Sequence, residues 1–166
     1  MMSLKENIDL ENVPEHIAVI MDGNGRWAKR KGAIRVYGHQ NAIKSVRDIT
    51  EACAEFGVSY LTLYAFSTEN WARPKEEVDN LMRLLVTTIR SETKTLMKNN
   101  VRLSTIGDTQ SLPGPCQSEL AEAVEITGRN TGLRLILALS YSGRWDIIQG
   151  VRQLLSLRFS EQPMPA

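Results

Sequence analysis

The chain has 166 residues, 42% of them hydrophobic, and carries 20 lysines and arginines against 19 aspartates and glutamates. This length and hydrophobic content suit one core and argue against two independent domains or a disordered chain. The formal net charge of +1 gives no overall attraction to nucleic acid. No apolar run approaches the ~18 residues of a membrane span, and acidic residues near the amino terminus argue against an export signal.

Four short apolar segments that end at turn residues are predicted to be β-strands: 16–21, 60–66, 101–106 and 133–139. Apolar residues at helical spacing predict four helices: 41–56, 74–99, 117–127 and 145–157. The alternation predicts an α/β fold, a single domain with a mostly parallel central sheet and helices on both faces. The domain is expected to cover residues 14–157, after an extension over 1–13 and before an irregular tail over 158–166.

The two cysteines, Cys53 and Cys116, lie far apart in the sequence and outside any CxxC pair. They are predicted to be buried free thiols in a reducing cytosol, with a single disulfide as the alternative. This cysteine usage favours a cytoplasmic protein.

The balanced totals hide one strongly basic segment between Asp22 and Arg47, which holds seven lysines and arginines and one acid. Seven minus one gives +6, which leaves −5 for the rest of the chain. Such a run is commonly a solvated face of a helix. Here four glycines interrupt it, which favours a loop and an anion-binding site: Gly23, Gly25, Gly32 and Gly38.

Ligands of parallel α/β sheets bind beyond the carboxyl ends of the strands. The segments that follow the four predicted strands are 22–26, 67–73, 107–108 and 140–144. In the first, two glycines let the backbone turn and present N–H groups to an anion, while Arg26 adds a forked cation. Asp22 could hold Mg²⁺ together with water and phosphate oxygens. The structural alternative is a tight strand-to-helix turn capped by Asp22.

Two other chemistries match this turn less well. Residues 23–28 fit the GxGxxG/A dinucleotide pattern formally, but Gly32 and Gly38 interrupt the long helix that this pattern should open. An aspartyl-phosphate phosphatase would need an acid two residues after its nucleophile, where Asn24 stands.

Other polar residues gather near the starts of the predicted helices. Arg35 and His39 lie just before the first helix, where they could bind a phosphate or cap and pack the helix. The segment Ser67–Arg73 holds hydroxyls, an amide, an indole and a guanidinium, and helix capping would explain only part of it. The helix after Pro74 has a broad apolar surface, which fits either a buried helix or the wall of an apolar tunnel: Leu81, Met82, Leu84, Leu85, Val86 and Ile89.

Taken together, long ordered blocks of this sequence resemble the cis-prenyltransferase family. The blocks are residues 16–28, 38–39, 61–74, 100–103, 106–108 and 143–146, and the resemblance runs from about residue 14 to about residue 155. It implies Mg²⁺-dependent condensation of isopentenyl diphosphate with an allylic diphosphate such as farnesyl diphosphate, giving a long-chain polyprenyl diphosphate. Such a product is a membrane lipid carrier for cell-wall synthesis, so the resemblance implies a protein of the cytoplasm or the periphery of the inner membrane.

The resemblance also implies roles for individual residues. Asp22 would bind Mg²⁺ and assist the departure of the allylic diphosphate, while Asn70 stands at the proton-abstraction position of the family. Because a neutral amide is a poor base, Asn70 is expected to orient water or substrate. The allylic substrate would be bound by Gly23, Asn24, Gly25, Arg26, Trp27, Arg35 and His39. Isopentenyl diphosphate would be placed by Ser67, Thr68, Glu69, Trp71 and Arg73.

Two departures from the family pattern stand out. Ser140-Tyr141-Ser142 occupies the place where many members have Asn-Tyr-Gly. The chain also ends where the family continues with further strands, an arginine–serine cluster for isopentenyl diphosphate, a metal-binding glutamate and part of a homodimer interface. We therefore expect only the allylic half of the site, with weak Mg²⁺-dependent binding of allylic diphosphate and poor or no elongation. A dimer is expected only for full-length members. The alternative function is a non-catalytic isoprenoid-diphosphate-binding subunit that needs another chain.

Overall fold

The structure, a computed structural model, describes residues 7–159, without the side chains of Arg35, Val36, His39, Gln40, Arg158 and Phe159. Its elements in chain order are β1 (His16–Ile20), α1 (Asn24–Arg30), α2 (Arg35–Glu55), β2 (Tyr60–Ser67), α3 (Lys75–Lys98), β3 (Arg102–Ile106), α4 (Gly114–Thr127), β4 (Arg134–Tyr141) and α5 (Gly143–Phe159). The strands form one sheet in the order β1-β2-β4-β3, and each neighbouring pair is parallel. The four carboxyl ends therefore meet at one edge of the sheet, and the predicted α/β class is confirmed.

The hydrophobic core lies against one face of the sheet. Several residues of the central strands β2 and β4 are almost fully buried, among them Leu61, Leu63 and Leu139. Helices α2, α3 and α4 contribute further buried side chains to the same cluster: Cys53, Met82, Ile89, Leu96, Cys116 and Leu120. The opposite face is more open within the described residues, since Ile20 is 77% exposed and Tyr64 is 38% exposed.

The basic segment after Asp22 is helical, where the sequence predicted a loop. Asn24–Arg30 forms α1, and α2 begins at Arg35 rather than at residue 41. The glycines delimit the first of these helices, because Gly23 precedes α1 with a φ of 92° and Gly32 follows it with a φ of 71°. Positive φ at a helix boundary suits glycine, which has no Cβ. Arg35 and His39 therefore lie within α2 and not before it.

The remaining predicted elements are confirmed with boundaries shifted by one to three residues. Helix α5 continues through residues 158 and 159, where an irregular tail was predicted. Residues 1–6 of the predicted extension and residues 160–166 of the predicted tail lie outside the described residues. The assignment of residues 14–157 to one domain stays a prediction.

The two cysteines are buried free thiols, as predicted. Burial raises the pKa of both the Cys53 and the Cys116 thiol. The Cys116 thiol also points its Sγ at the carbonyl oxygen of Met82, 3.6 Å away, and so packs α4 against α3.

A single buried hydroxyl connects α4 to the edge strand β3. Thr127 has no exposed surface. Its Oγ1 accepts the backbone N–H of Leu103 at 3.1 Å and donates to the carbonyl oxygen of Ala123 at 2.7 Å. The hydroxyl therefore satisfies a buried backbone donor of β3.

Replacing Thr127 with valine should lower the free energy of unfolding by about 1–3 kcal/mol, because the N–H of Leu103 would stay buried without an acceptor. Urea unfolding measures the change. The matched control is Thr87→Val on α3, whose exposed hydroxyl bonds only to carbonyls of its own helix; it should change stability by less than about 0.5 kcal/mol. Equal losses of unfolding free energy in Thr127→Val and Thr87→Val would contradict the role of the Thr127 hydroxyl as the acceptor for β3.

Helix α5 presents apolar side chains to solvent. Ile147, Val151 and Leu154 are 71%, 51% and 55% exposed. Their spacing puts them on one side of the helix. Within residues 7–159, none of the helices combines the length and the hydropathy needed to span a membrane.

Candidate active site

The turn after β1 brings Asp22 and Arg26 together. Arg26 Nη2 donates to Asp22 Oδ2 at 2.6 Å, and Asp22 Oδ1 accepts the N–H of Gly23 at 2.5 Å. The Arg26 and Asp22 side chains are 71% and 73% exposed. An ion pair this exposed contributes little to stability. Both groups can therefore exchange this bond for an incoming anion and cation.

The start of α1 rests on a glycine of α2. A Cβ at Gly38 would lie 2.1 Å from the carbonyl oxygen of Asn24 and 3.1 Å from the Cβ of Ala28. Ala28 is fully buried, so α1 has little room to move away. The position of Asn24 therefore depends on a close helix–helix approach that requires glycine.

The segment after β2 is a short 3₁₀ helix, Thr68–Ala72, closed by a capping box. Asn70 Oδ1 accepts the backbone N–H of Ser67 at 3.2 Å, and the Ser67 hydroxyl accepts the backbone N–H of Asn70. Capping thus accounts for Ser67 and for the amide oxygen of Asn70. The NH₂ group of Asn70 is the part of the side chain left to meet a ligand.

Glu69 adds a negative charge to the same segment. Its pKa lies below the usual range because its carboxylate accepts its own backbone N–H and the hydroxyls of Ser67 and Thr68, with a smaller effect from the nearby Arg144. An ionised carboxylate repels an anion. A role for Glu69 beside a diphosphate would therefore need a cation or Arg144 between the two groups.

Capping does not explain Trp71 and Arg73, but the tertiary contacts do. The edge of the Trp71 ring meets Phe66, with centroids 4.9 Å apart and planes at 74°. Its indole N–H donates to Ser140 Oγ at 3.0 Å, which links the segment after β2 to the end of β4. Arg73 Nη1 donates to Glu77 Oε1 at 3.1 Å, at the start of α3.

An apolar cavity of about 210 Å³ is lined by residues of the sheet and of helices α2 and α3. Met21 and Asn24 from the first turn line it, and so do Asn70 and Arg73 from the second segment. The rest of the wall is mostly aliphatic: Ala42, Ile43 and Val46 of α2, Leu81, Met82, Leu84, Leu85 and Ile89 of α3, and Leu63, Leu135, Leu137 and Leu139 of the sheet. The turn at Asp22 and the segment at Asn70 therefore border one shared cavity.

Helix α3 is a buried helix that also forms part of the wall of the apolar cavity. Met82 and Ile89 belong to the buried core and also line the cavity. Val86 packs against the core and is absent from the cavity wall. The apolar surface of α3 is broad because it serves both purposes.

Of the predicted site residues, Asn24, Asn70 and Arg73 line this cavity. Most of the other predicted residues with described side chains do not: Asp22, Gly23, Gly25, Arg26, Trp27, Ser67, Thr68, Glu69 and Trp71. Trp27 stacks on Tyr37, with centroids 6.2 Å apart and planes at 10°, and is 43% exposed. Its ring therefore lies on the surface of the α1–α2 pair. The side chains of Arg35 and His39 lie outside the described residues.

The carboxylate oxygens of Asp22 suit a hard cation whose other ligands are water or substrate oxygens. Among residues 7–159, no group of three or more His, Cys, Asp or Glu side chains could hold a metal ion by itself. One exposed carboxylate suits Mg²⁺, which commonly keeps water and substrate phosphate oxygens among its ligands. Asp22 could supply one such carboxylate at this turn.

Comparison with known proteins agrees with this geometry. The family model described as "Putative undecaprenyl diphosphate synthase" matches residues 20–164. An isoprenyl transferase of Clostridium tetani is 53% identical over 148 residues, which are 89% of this chain and 58% of that relative. The chain belongs to the cis-prenyltransferase family.

Two further comparisons support this membership. A Yersinia pseudotuberculosis relative is named ditrans,polycis-undecaprenyl-diphosphate synthase, (2E,6E)-farnesyl-diphosphate specific; it is 53% identical over 141 residues, 85% of this chain and 56% of the relative. The crystal structure of lavandulyl diphosphate synthase from Lavandula x intermedia in complex with dimethylallyl diphosphate gives a TM-score of 0.87 at 33% identity, covering 91% of this chain and 65% of that one. This member of the cis-prenyltransferase family thus spans a little over half the length of the two relatives from Clostridium and Yersinia.

Sequence reasoning missed two features of this candidate site. The α2 wall of the cavity was predicted only as a helix, although Ile43 and Val46 already stood at helical spacing. The second feature is Ser140, which accepts the indole N–H of Trp71. Residues 140–144 were predicted to follow a strand, but no local sequence signal pairs Ser140 with Trp71, which stands 69 residues away.

Proposed function

We propose that this chain forms the allylic-diphosphate part of a cis-prenyltransferase site, which condenses isopentenyl diphosphate with an allylic diphosphate such as farnesyl diphosphate. The observation that carries the proposal is the single cavity that joins Asn24 and Asn70 to an aliphatic wall. A substrate with a diphosphate head and an isoprenoid tail matches a polar rim beside an apolar wall. The names of the Clostridium and Yersinia relatives support the same reaction class.

The condensation breaks the carbon–oxygen bond of the allylic diphosphate and releases diphosphate, forms one carbon–carbon bond to isopentenyl diphosphate, and removes one proton from the isopentenyl unit. Mg²⁺ held by Asp22 would supply charge stabilisation for the departing diphosphate. Arg26 would exchange its bond to Asp22 for a phosphate oxygen, and the backbone N–H groups of the turn would add fixed donors. The NH₂ group of Asn70 would orient isopentenyl diphosphate or a water molecule.

The aliphatic wall would hold the isoprenoid tail. Each CH₂ group withdrawn from water gains roughly 0.8 kcal/mol, so a tail of fifteen or so carbons binds without any polar contact of its own. A growing polyprenyl chain would extend between α2 and α3. We place this activity in the cytoplasm, with an apolar diphosphate product that passes to the membrane.

Replacing Asn70 with alanine should lower turnover by at least about tenfold, the scale of a positioned proton-transfer group. The variant loses the NH₂ donor and the capping acceptor of Ser67 together. Asn70→Asp is the matched variant, because it keeps an oxygen to cap Ser67 and removes the NH₂ donor, so it should lose turnover as well. Steady-state assays compare the two variants. Wild-type turnover in Asn70→Ala would refute the role.

The exposed apolar side of α5 favours a second candidate function, an isoprenoid-diphosphate-binding subunit that works with another chain. Ile147, Val151 and Leu154 together form an apolar surface that a partner could cover.

One experiment separates the two functions. The purified chain is incubated with farnesyl diphosphate, radiolabelled isopentenyl diphosphate and Mg²⁺, and farnesyl diphosphate binding is measured in parallel by calorimetry. Labelled apolar product above that of an Asp22→Asn control supports the prenyltransferase, even where the yield is low. Binding of farnesyl diphosphate without labelled product supports the second candidate, the isoprenoid-diphosphate-binding subunit. A chain that neither binds nor elongates contradicts both.

A further inference from the structure

Ser140, near the end of β4, is buried in a backbone conformation that serine rarely adopts. It is 2% exposed and has a φ of 49°. The other non-glycine residue with a positive φ in the described part of the chain is Asn100, a type that tolerates this conformation better. A strained residue persists only where the contacts around it determine it. The contacts of Ser140 therefore show what holds it in this conformation.

The hydroxyl of Ser140 joins the segments that follow two other strands. It accepts the indole N–H of Trp71, from the segment after β2, at 3.0 Å. The hydroxyl oxygen of Ser111, from the segment after β3, lies 2.9 Å from it. The carbonyl oxygen of Ser140 also accepts the N–H of Asp108 at 3.3 Å. One residue thus ties three carboxyl-end segments of the sheet together.

The protons in this cluster can be assigned by counting donors. Ser111 Oγ lies 2.7 Å from the carbonyl oxygen of Asp108, which can only accept. Each hydroxyl carries one proton, so Ser111 makes both of its bonds at once only when Ser140 donates the proton between the two hydroxyls. Ser140 then accepts from Trp71 and donates to Ser111, and its hydroxyl is used in both directions.

We propose that Ser140 is a positioning residue that sets the orientation of the Trp71 indole and, through it, of the Ser67–Arg73 segment. The proposal rests on the proposed function, in which this segment receives isopentenyl diphosphate. One side of the indole ring meets Phe66 and its N–H meets Ser140, so two contacts define its rotamer. Asn70 and Arg73 flank Trp71 in the chain and line the cavity. A change in the indole orientation is therefore transmitted to both.

Fluorine NMR of the chain labelled with 5-fluorotryptophan tests the contact without any substrate. The resonances of the three tryptophans are assigned by single Trp→Phe substitutions. Ser140→Ala should move the Trp71 resonance and leave that of Trp27 in place. Ser91→Ala, which removes an exposed hydroxyl bonded to the carbonyl of Thr88, should move neither. An unchanged Trp71 resonance in Ser140→Ala would overturn the proposal.

Two further variants separate the hydroxyl from the backbone. Ser140→Gly relieves the positive φ but has no acceptor, so it should behave like Ser140→Ala. Ser140→Asn keeps an acceptor in a residue type suited to a positive φ, and it serves if the alanine variant fails to fold. A glycine variant that matches the wild type would assign Ser140 a backbone role only and overturn the proposal.

The link to substrate is tested by a double-mutant cycle on isopentenyl diphosphate affinity, measured by calorimetry. Ser140→Ala should weaken binding by about threefold to tenfold, the worth of one hydrogen bond. In a Trp71→Phe chain, which has no indole N–H, the same change should have almost no effect. If the losses of binding free energy from Ser140→Ala and Trp71→Phe simply add in the double variant, the inference is overturned, even where the wild-type chain binds isopentenyl diphosphate well. A wild-type chain that binds no isopentenyl diphosphate would contradict the placement of that substrate at the Ser67–Arg73 segment, whereas a failure to bind farnesyl diphosphate would contradict the proposed allylic site.

Discussion

An Asp22→Asn chain is expected to lose its response to Mg²⁺ and about a hundredfold in turnover, the scale of removing one preorganised charge-stabilising group. Asparagine has the size of aspartate and keeps an oxygen for the N–H of Gly23. It carries no charge for Mg²⁺ or for Arg26. Because the Asp22 side chain is 73% exposed, the substitution should leave the fold intact.

The measurement is the affinity for farnesyl diphosphate with Mg²⁺ and with a chelator in its place. Mg²⁺ should tighten binding to the wild type and have no effect on the variant. Asp79→Asn is the matched control, since Asp79 also forms an exposed ion pair one helical turn away, with Lys75 at 2.6 Å. An Asp22→Asn chain with wild-type Mg²⁺ dependence would show that Asp22 does not hold the metal.

Gly38→Ala should destabilise the chain by about 1–3 kcal/mol, the usual cost of overpacking, and weaken farnesyl diphosphate binding as well. The added Cβ would lie 2.1 Å from the carbonyl oxygen of Asn24. That atom belongs to the backbone, so α1 must shift and carry the Asp22 turn with it. Helix propensity alone predicts the opposite sign, since alanine is favoured over glycine by about 1 kcal/mol inside a helix.

Gly150→Ala is the matched control for this prediction. Gly150 lies inside α5, and a Cβ there would meet nothing within 4 Å. This variant should gain stability by up to about 1 kcal/mol. Chemical unfolding of both variants and of the wild type measures the difference. A Gly38→Ala chain as stable as Gly150→Ala would disprove the close approach of α1 and α2.

The strands were predictable because their apolar runs are local. Residues 60–66 and 133–139 are continuous strand-forming stretches bounded by turn residues, and both lie in the centre of the observed sheet. Helix α1 was missed because its glycines were counted as loop residues. Gly25 lies inside α1 and Gly38 lies inside α2. At Gly38 the close approach of α1 outweighs the cost of glycine in a helix.

The candidate site likewise has some features that the sequence predicted and others that only the structure shows. Asp22, Gly23 and Arg26 are close in sequence, so one turn brings them together and their chemistry could be proposed from spacing. Asn70 was predicted to be a site residue, yet the engagement of its amide oxygen appears only once the 3₁₀ helix and its capping box are formed. In the proposed site, this geometry would make Asn70 a hydrogen-bond donor toward a ligand.

The sequence by itself determined the α/β class, the segments that carry polar groups and the family, since each depends on residues that are neighbours along the chain. The tertiary structure decided which of those groups meet. Asn24 and Asn70 border one cavity only because parallel strands β1 and β2 end at the same edge of the sheet. Ser140 reaches Trp71 across 69 residues for the same reason, since β4 lies beside β2. Contacts of this kind are fixed by strand order and helix packing, which no local pattern contains.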